Sequence, residues 1–276
     1  MSAPTYSFEG RIPAAVCMAS IALALALFLF PLETLISERN YNAAMRLLDD
    51  EATPEYDIKP IPTLSMTDYF TALERIESAR RFSPQNAFYY KKLAELHIWL
   101  ARWSEIMGGL GEKGGVTGAG GYEKATGYLK EAVFFEPANP EHHLLLARVY
   151  DTMGDRESAE TELKRAVMSY PVNAPLRYEV ARHYLLTKRY GDAIEHSRAL
   201  AVIDTSYMAP LATRETGIIE RRSERYLSRL YRSYLFSAFE IAWRASKDKE
   251  VVRGITPDNP EAKEVMAAFF EWRGLD

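Results

Sequence analysis

Asn139–Pro171 reads NPEHHLLLARVYDTMGDRESAETELKRAVMSYP. After Pro140, the residues Leu146, Ala147 and Tyr150 recur at helical spacing, Gly154-Asp155 interrupts, and Ala159, Leu163 and Ala166 recur again before Pro171. Residues three, four or seven positions apart share a helix face, so this spacing predicts two amphipathic helices, each with a narrow apolar stripe. Small side chains at Ala147, Ala159 and Ala166 allow the two to lie close together. The expectation is a helical hairpin.

The pattern repeats along the chain. Thirty-four residues on, Val180, Ala181, Tyr184, Ala193 and Leu200 occupy the equivalent places, with Thr205 where the proline stood. Thirty-four residues back, Tyr122, Ala125, Leu129, Ala132 and Pro137 fit the second helix of an earlier unit. Its first helix, with Tyr90, Leu93, Ala94 and His97, fits only if the glycine-rich run at 107–121 is an insertion between the two helices. Ala72, Ile76, Ala79 and Pro84 match the second helix of a unit further upstream. At the far end Pro257, Met266, Ala267, Phe270 and Gly274 read as a stop followed by another first helix.

A helix-turn-helix period of this length, with these small, aromatic and proline positions, resembles the tetratricopeptide repeat family over roughly half the chain. The resemblance implies an all-α solenoid whose stacked first helices form a concave surface that holds a peptide or a partner helix. Physical logic agrees, because one hairpin cannot bury its own stripe and stacking is what makes the core continuous. Two departures, His143 for the usual aromatic and Ser197 for a large residue, are expected to loosen packing locally.

Ahead of the repeats, Ile12–Phe30 carries no charge. As a helix it would rise roughly 28 Å, the thickness of a bilayer core. A transmembrane helix at 12–31 is therefore expected, with a cleaved signal peptide and a buried core helix as the alternatives. Lys/Arg counts on its two sides do not fix the orientation. By association with single-span bacterial proteins, the expected location is the inner membrane with the bulk in the periplasm. The expected organisation is a short tail at 1–11, the span, a juxtamembrane helix and proline-containing spacer at 32–66, a solenoid at 67–206, and C-terminal helices at 207–276 ending in a partial repeat. Pro54, Pro60 and Pro62 favour a stiff spacer that holds the solenoid away from the lipid.

With 26% charged residues, a formal charge of -4 and one cysteine, the chain has no global reason to bind nucleic acid and no route to an internal disulfide or a Cys-rich metal site. No cofactor or catalytic fingerprint is present. Adjacent His142 and His143 point about 100° apart on a helix and cannot share a metal ion. The glycine-rich run lacks the Gly-Lys-Ser/Thr of a phosphate loop and reads as a mobile insertion.

Helical phase opposite the packing stripes places Phe88, Lys91, Glu95, Ile98 and Trp99 on the groove in one unit. Glu141, Leu144, Arg148 and Thr152 follow in the next, and Pro175, Tyr178, Arg182 and Leu185 in the third. Arg148 and Arg182 recur at the same repeat position, and with Tyr178 and Trp99 they suit a segment bearing acidic and aromatic groups. The plainer reading is that both arginines pair with nearby acids and the aromatics pack inward. Near the C-terminus, 215–245 reads as one long helix, with Arg221, Arg225, Arg229 and Arg232 along a basic edge that either meets an anionic surface or is solvated.

The expected function is a membrane-anchored scaffold that binds a protein partner, which within the family suggests bacterial envelope assembly: polysaccharide export, pilus or secretion machinery, or cytochrome maturation. The competing expectation is an accessory or catalytic subunit of polysaccharide metabolism using Glu95, Glu141 or Asp151.

Overall fold

The computed structural model describes residues 33–46, 48, 65–109, 118–204 and 233–275. Among them every regular element is a helix. The first, α1, covers 33–46. Next come α2 (Met66–Phe82), α3 (Ala87–Gly109), α4 (Gly118–Phe135), α5 (Pro140–Thr152), α6 (Arg156–Ser169), α7 (Ala174–Leu186) and α8 (Tyr190–Ile203). The C-terminal helices are α9 (Tyr234–Ser246), α10 (Lys249–Ile255) and α11 (Pro260–Arg273).

Helix ends are written in the sequence. Asn139, Asn173 and Asn259 each accept a hydrogen bond from a first-turn amide, and each is followed by a proline in that turn, where a missing N–H costs nothing. The turn between α5 and α6 closes with the Asp155 amide donating to the Tyr150 carbonyl, and Gly154 supplies the left-handed backbone this requires, at φ +84°. One repeat later the Arg189 amide donates to Tyr184 in the same way, and there Lys188 takes the left-handed conformation without being glycine.

Hairpins stack into a continuous core. Ala44 of α1 joins Tyr69, Ile76 and Leu93. Ala94 and Ala101 of α3 meet Ala125 and Leu129 of α4 and Leu146 of α5. Ala147, Leu163, Val180, Tyr184 and Ala193 continue across α5 to α8. Leu200, Leu235, Phe239, Val252 and Phe269 close the C-terminal end. Each such fully buried large side chain contributes about 1.5–3 kcal/mol relative to exposure, so the stripes read from the sequence are where the stability lies.

The structure corrects several expectations. Helix α1 is packed on the solenoid: the Ser37 hydroxyl lies fully buried, within hydrogen-bond distance of the Ala79 carbonyl and the Tyr89 hydroxyl, and Tyr41 meets Phe88 and Tyr89 at ring distances of 5.4 Å. Helix α1, expected to lie in the juxtamembrane segment outside the solenoid, therefore packs directly on its first helices. The glycine-rich insertion is helical at both ends, since α3 runs to Gly109 and α4 starts at Gly118.

At Gly121 an added Cβ would sit 2.8 Å from the Ala101 Cβ and 3.0 Å from the His97 carbonyl, so this glycine lets α3 and α4 touch. The long helix expected across 215–245 is interrupted, because Ser233 is an N-cap whose side chain accepts from the Phe236 amide, and Asp204 accepts from Leu235. Helix α9 thus begins anew and packs on α7 and α8 as a further first helix. His143 and Ser197 do not loosen their surroundings: both are buried, His143 bonds through both ring nitrogens, and Ser197 donates to the Ala193 carbonyl.

The 12–31 span, the 49–64 segment and the Arg221, Arg225, Arg229 and Arg232 edge lie outside the described residues. Among the described residues no helix is long and apolar enough to cross a membrane.

Candidate partner-binding site on the inner face

Helices α3, α5 and α7 lie side by side and enclose a cavity of about 290 Å³, lined by Arg102, Arg148, Asp151, Arg182 and His183, with Thr152 at its mouth. A smaller cavity of about 120 Å³ adjoins it, shares Arg102, Arg148 and Thr152, and is closed by Glu95, Ile98 and Tyr122. Their positions follow from helical spacing: 148, 151 and 152 fall on one side of α5, and 182, 183 and 186 on one side of α7.

The electrostatics are asymmetric. Arg148 Nη2 lies 2.5 Å from Oε2 of Glu179, whose side chain is 1% exposed, and Arg182 approaches the other Glu179 oxygen at 3.9 Å. His183 Nε2 is 2.9 Å from Asp151. Burial lowers the His183 pKa, with Arg148 and Arg189 adding to the effect and Asp151 opposing it, so the imidazole is neutral near pH 7. The larger cavity is thus lined by three guanidiniums and one carboxylate, Asp151, with Glu179 buried behind Arg148, and it is net positive. Arginine forks oriented by a buried acid are pre-organised to take a carboxylate through charge-assisted bonds.

Of the groove residues expected from sequence, Arg148, Arg182 and Thr152 are brought together here, with Glu95 and Ile98 in the adjoining cavity. Others are placed elsewhere. Trp99 stacks on Tyr69, with ring centroids 4.9 Å apart. Tyr178 packs against Tyr234 of α9, at 5.9 Å. Leu144 and Leu185 are core residues. Phe88 lies against Tyr41 of α1 and is 40% exposed, and Lys91 pairs with Glu141 at 2.5 Å, tying α3 to α5. Pro175 sits in the first turn of α7.

Sequence reasoning missed Arg102 and His183. Arg102 lies on the extension of α3 past the repeat pattern. For His183 the overlooked signal was its place beside Arg182.

Elsewhere, His142 and His143 engage different carboxylates, Glu136 at 3.0 Å and Glu162 at 2.6 Å. The candidate acids of the enzymatic reading are each held by a cation or an imidazole: Glu95 by Lys92 at 2.7 Å, Glu141 by Lys91, and Asp151 by His183. Among the described residues no group of three or more His, Cys, Asp or Glu is arranged to hold a metal ion.

Residues 117–175 match the tetratricopeptide repeat family model. No curated protein matches the chain. Among solved structures, the chain is similar to MamA protein at 13% identity, covering 87% of this chain and 92% of that one, with a TM-score of 0.47. It is similar to TTC0263, a thermophilic TPR protein in Thermus thermophilus, at 23% identity over 70% and 81% of the two chains, with a TM-score of 0.45. For YrrB, described as a TPR protein with an unusual peptide-binding site, the values are 13%, 83%, 90% and 0.39.

Proposed function

We propose that this protein is a helical-repeat scaffold that holds an acidic segment of a partner protein against the inner face of α3, α5 and α7. The single observation that carries the reading is the net-positive cavity in which Arg102, Arg148 and Arg182 converge from three successive first helices. A partner carboxylate there would gain charge-assisted bonds from groups already held in place, which limits the entropy lost on binding. The uncharged Ile12–Phe30 run supports a membrane anchor. We place the protein in a bacterial inner membrane with the repeats on the periplasmic side, serving assembly of an envelope complex.

The test is in-cell photocrosslinking in the full chain from Thr152, which is exposed at the mouth of both cavities. A single saturable protein adduct, lost on Arg102→Glu, is the expected result. No adduct from a folded, expressed chain, or an adduct indifferent to Arg102→Glu, removes the inner face as the site. Protease accessibility of α11 in intact spheroplasts tests the side of the membrane: protection there would reverse the assigned orientation.

A further inference from the structure

On the opposite side of the first full repeat, α2 and α4 stand apart over α3 and leave an open cleft of about 630 Å³. Its floor is aromatic. His97 and Tyr128 stack with ring centroids 5.5 Å apart and planes 12° from parallel, and Tyr90 lies 6.5 Å from Tyr128. Its walls are Leu73, Glu77 and Arg80 of α2 facing Lys124, Gly127 and Glu131 of α4. On each wall the outermost of these positions lie seven residues apart, about 10 Å of helix, which matches roughly three residues of extended chain.

The same place in the next two repeats is closed by the protein itself. The position of Tyr90 becomes His143 and then Arg177, and that of Tyr128 becomes Glu162 and then His196. His143 bonds Glu162 at 2.6 Å, with Arg165 on the other Glu162 oxygen at 2.7 Å, and Arg177 lies 3.2 Å from His196. In the first-unit layer the Tyr90 hydroxyl donates to the Pro84 carbonyl at 2.8 Å and the Tyr128 hydroxyl to Glu77 at 3.1 Å, yet two other polar atoms are left unmet. His97 is 5% exposed, yet its Nδ1 has no hydrogen-bond partner among the described residues, and neither does the buried Nε of Arg80. Such groups are costly unless something satisfies them.

Gly127 points the same way. It sits inside α4, where glycine costs about 1 kcal/mol relative to alanine. Unlike Gly121 it has no packing reason, since an added Cβ would meet nothing within 4 Å. In the next repeats its position holds Thr161 and Glu195. A glycine lining a cleft lets another backbone approach closely.

We propose that this outer cleft binds an extended peptide segment that carries an aromatic side chain beside a carboxylate. The ring lies on the floor of Tyr90, His97 and Tyr128, where offset or edge contacts between rings are favourable. The carboxylate accepts from Arg80, whose guanidinium is steadied 5.6 Å above the Tyr90 ring, and faces the Lys124 ammonium. Glu77 is engaged through both oxygens, accepting the Tyr128 hydroxyl at 3.1 Å and approaching Arg81 at 3.9 Å. The peptide backbone passes over Gly127.

The test is fluorescence anisotropy on the full chain with a labelled pentapeptide, Gly-Asp-Phe-Asp-Gly. Controls replace both Asp by Ala or replace Phe by Leu, and phenylacetate serves as a competitor. The expected result is saturable binding that each peptide control weakens at least fivefold. Gly127→Leu, which fills the cleft without a clash at Cβ, weakens it at least tenfold while thermal melting is unchanged or raised. Arg80→Gln removes the advantage of the Asp peptide over its Ala control. Arg102→Glu, on the inner face, leaves binding unchanged.

The proposal is overturned if the wild-type chain does not bind the peptide, or if folded Gly127→Leu binds it equally well. It is also overturned if phenylacetate binds as tightly as the peptide, which assigns the cleft to small aromatic acids. Loss of binding on Arg102→Glu but not on Gly127→Leu would place the peptide on the inner face instead.

Discussion

Arg148 Nη2 lies 2.5 Å from Oε2 of Glu179, joining α5 to α7 across one repeat. Glu179 is buried and Arg148 is not, so the cost of losing either partner is unequal. Removing the cation leaves a carboxylate in the core with Arg182 3.9 Å away. Arg148→Ala should therefore lower the stability by about 2–4 kcal/mol in urea unfolding. Arg148→Met combined with Glu179→Leu should recover most of that loss, because the desolvated pair is replaced by apolar packing. Equal destabilisation by the single and double variants would show that the pair has a net stabilising worth of its own. The same reasoning makes Arg148→Glu a folding variant and Arg102 the cleaner probe of partner binding.

Two glycines of α4 should respond in opposite directions. Gly121→Ala drives a Cβ against Ala101 and the His97 carbonyl, and the backbone oxygen cannot step aside. Overpacking of this kind costs about 1–3 kcal/mol, against a helix-propensity gain of about 1 kcal/mol, so a net loss in thermal midpoint is expected. Ala101→Gly in the same chain should relieve part of it. Gly127→Ala meets open space and should raise the midpoint. If both substitutions stabilise, the close approach of α3 and α4 is not tight in solution.

The hairpins were legible because their small and apolar residues report burial directly. Ala147, Ala159, Ala166, Ala181 and Ala193, picked out by periodicity, are all at most 2% exposed. The inner face was only partly legible. Taking the side opposite the stripe as the groove assumes that a helix has two sides, whereas a first helix in a stack touches its own partner helix and the first helices before and after it. Tyr178 was lost to α9, Trp99 to Tyr69, and Leu144 to the core, leaving the narrow strip of Arg148, Thr152 and Arg182. Helix α9 was hidden by its own sequence, since basic and apolar residues upstream of Ser233 continue its periodicity and only the serine cap marks the break. The pairing of His143 with Glu162 depends on two helices meeting, which a linear spacing of 19 residues does not announce.

Stability should fall on mild acidification. His97, His142, His183 and His196 all have pKa values lowered from the ordinary 6.5, burial being the first cause in each. Lys124, Arg148 and Arg177 add to this at His97, His183 and His196, while Glu136 and Asp151 oppose it at His142 and His183. A lowered folded pKa means that the unfolded chain takes up more protons below the ordinary value. The stabilisation is therefore complete above pH 6.5 and declines as pH falls from there towards the folded values. Urea midpoints measured from about pH 7.5 to about pH 5.5 should decrease, and His142→Asn should flatten the slope. A flat wild-type profile would mean that these imidazoles reach solvent in the native state.

The N-terminal boundary of the folded unit can be tested directly. Cutting at residue 52 looks sensible from the sequence, because a proline-containing segment follows. In the structure that cut removes α1 and with it Ala44, Tyr41 and Ser37, uncovering Tyr89, Ala79 and part of the core around Leu93. The buried Tyr89 hydroxyl would also lose its bond to Ser37. A chain of residues 33–276 should melt in one cooperative transition at the midpoint of the full-length protein. Residues 52–276 should melt several degrees lower and bind a hydrophobic dye. Equal midpoints for the two fragments would show that α1 adds nothing to the solenoid, and would favour the reading of 32–66 as a juxtamembrane helix and spacer outside it. The expected difference carries a consequence for an anchored protein: with α1 in the stack and the apolar run ending at Phe30, the first repeat would sit against the bilayer with almost no intervening chain.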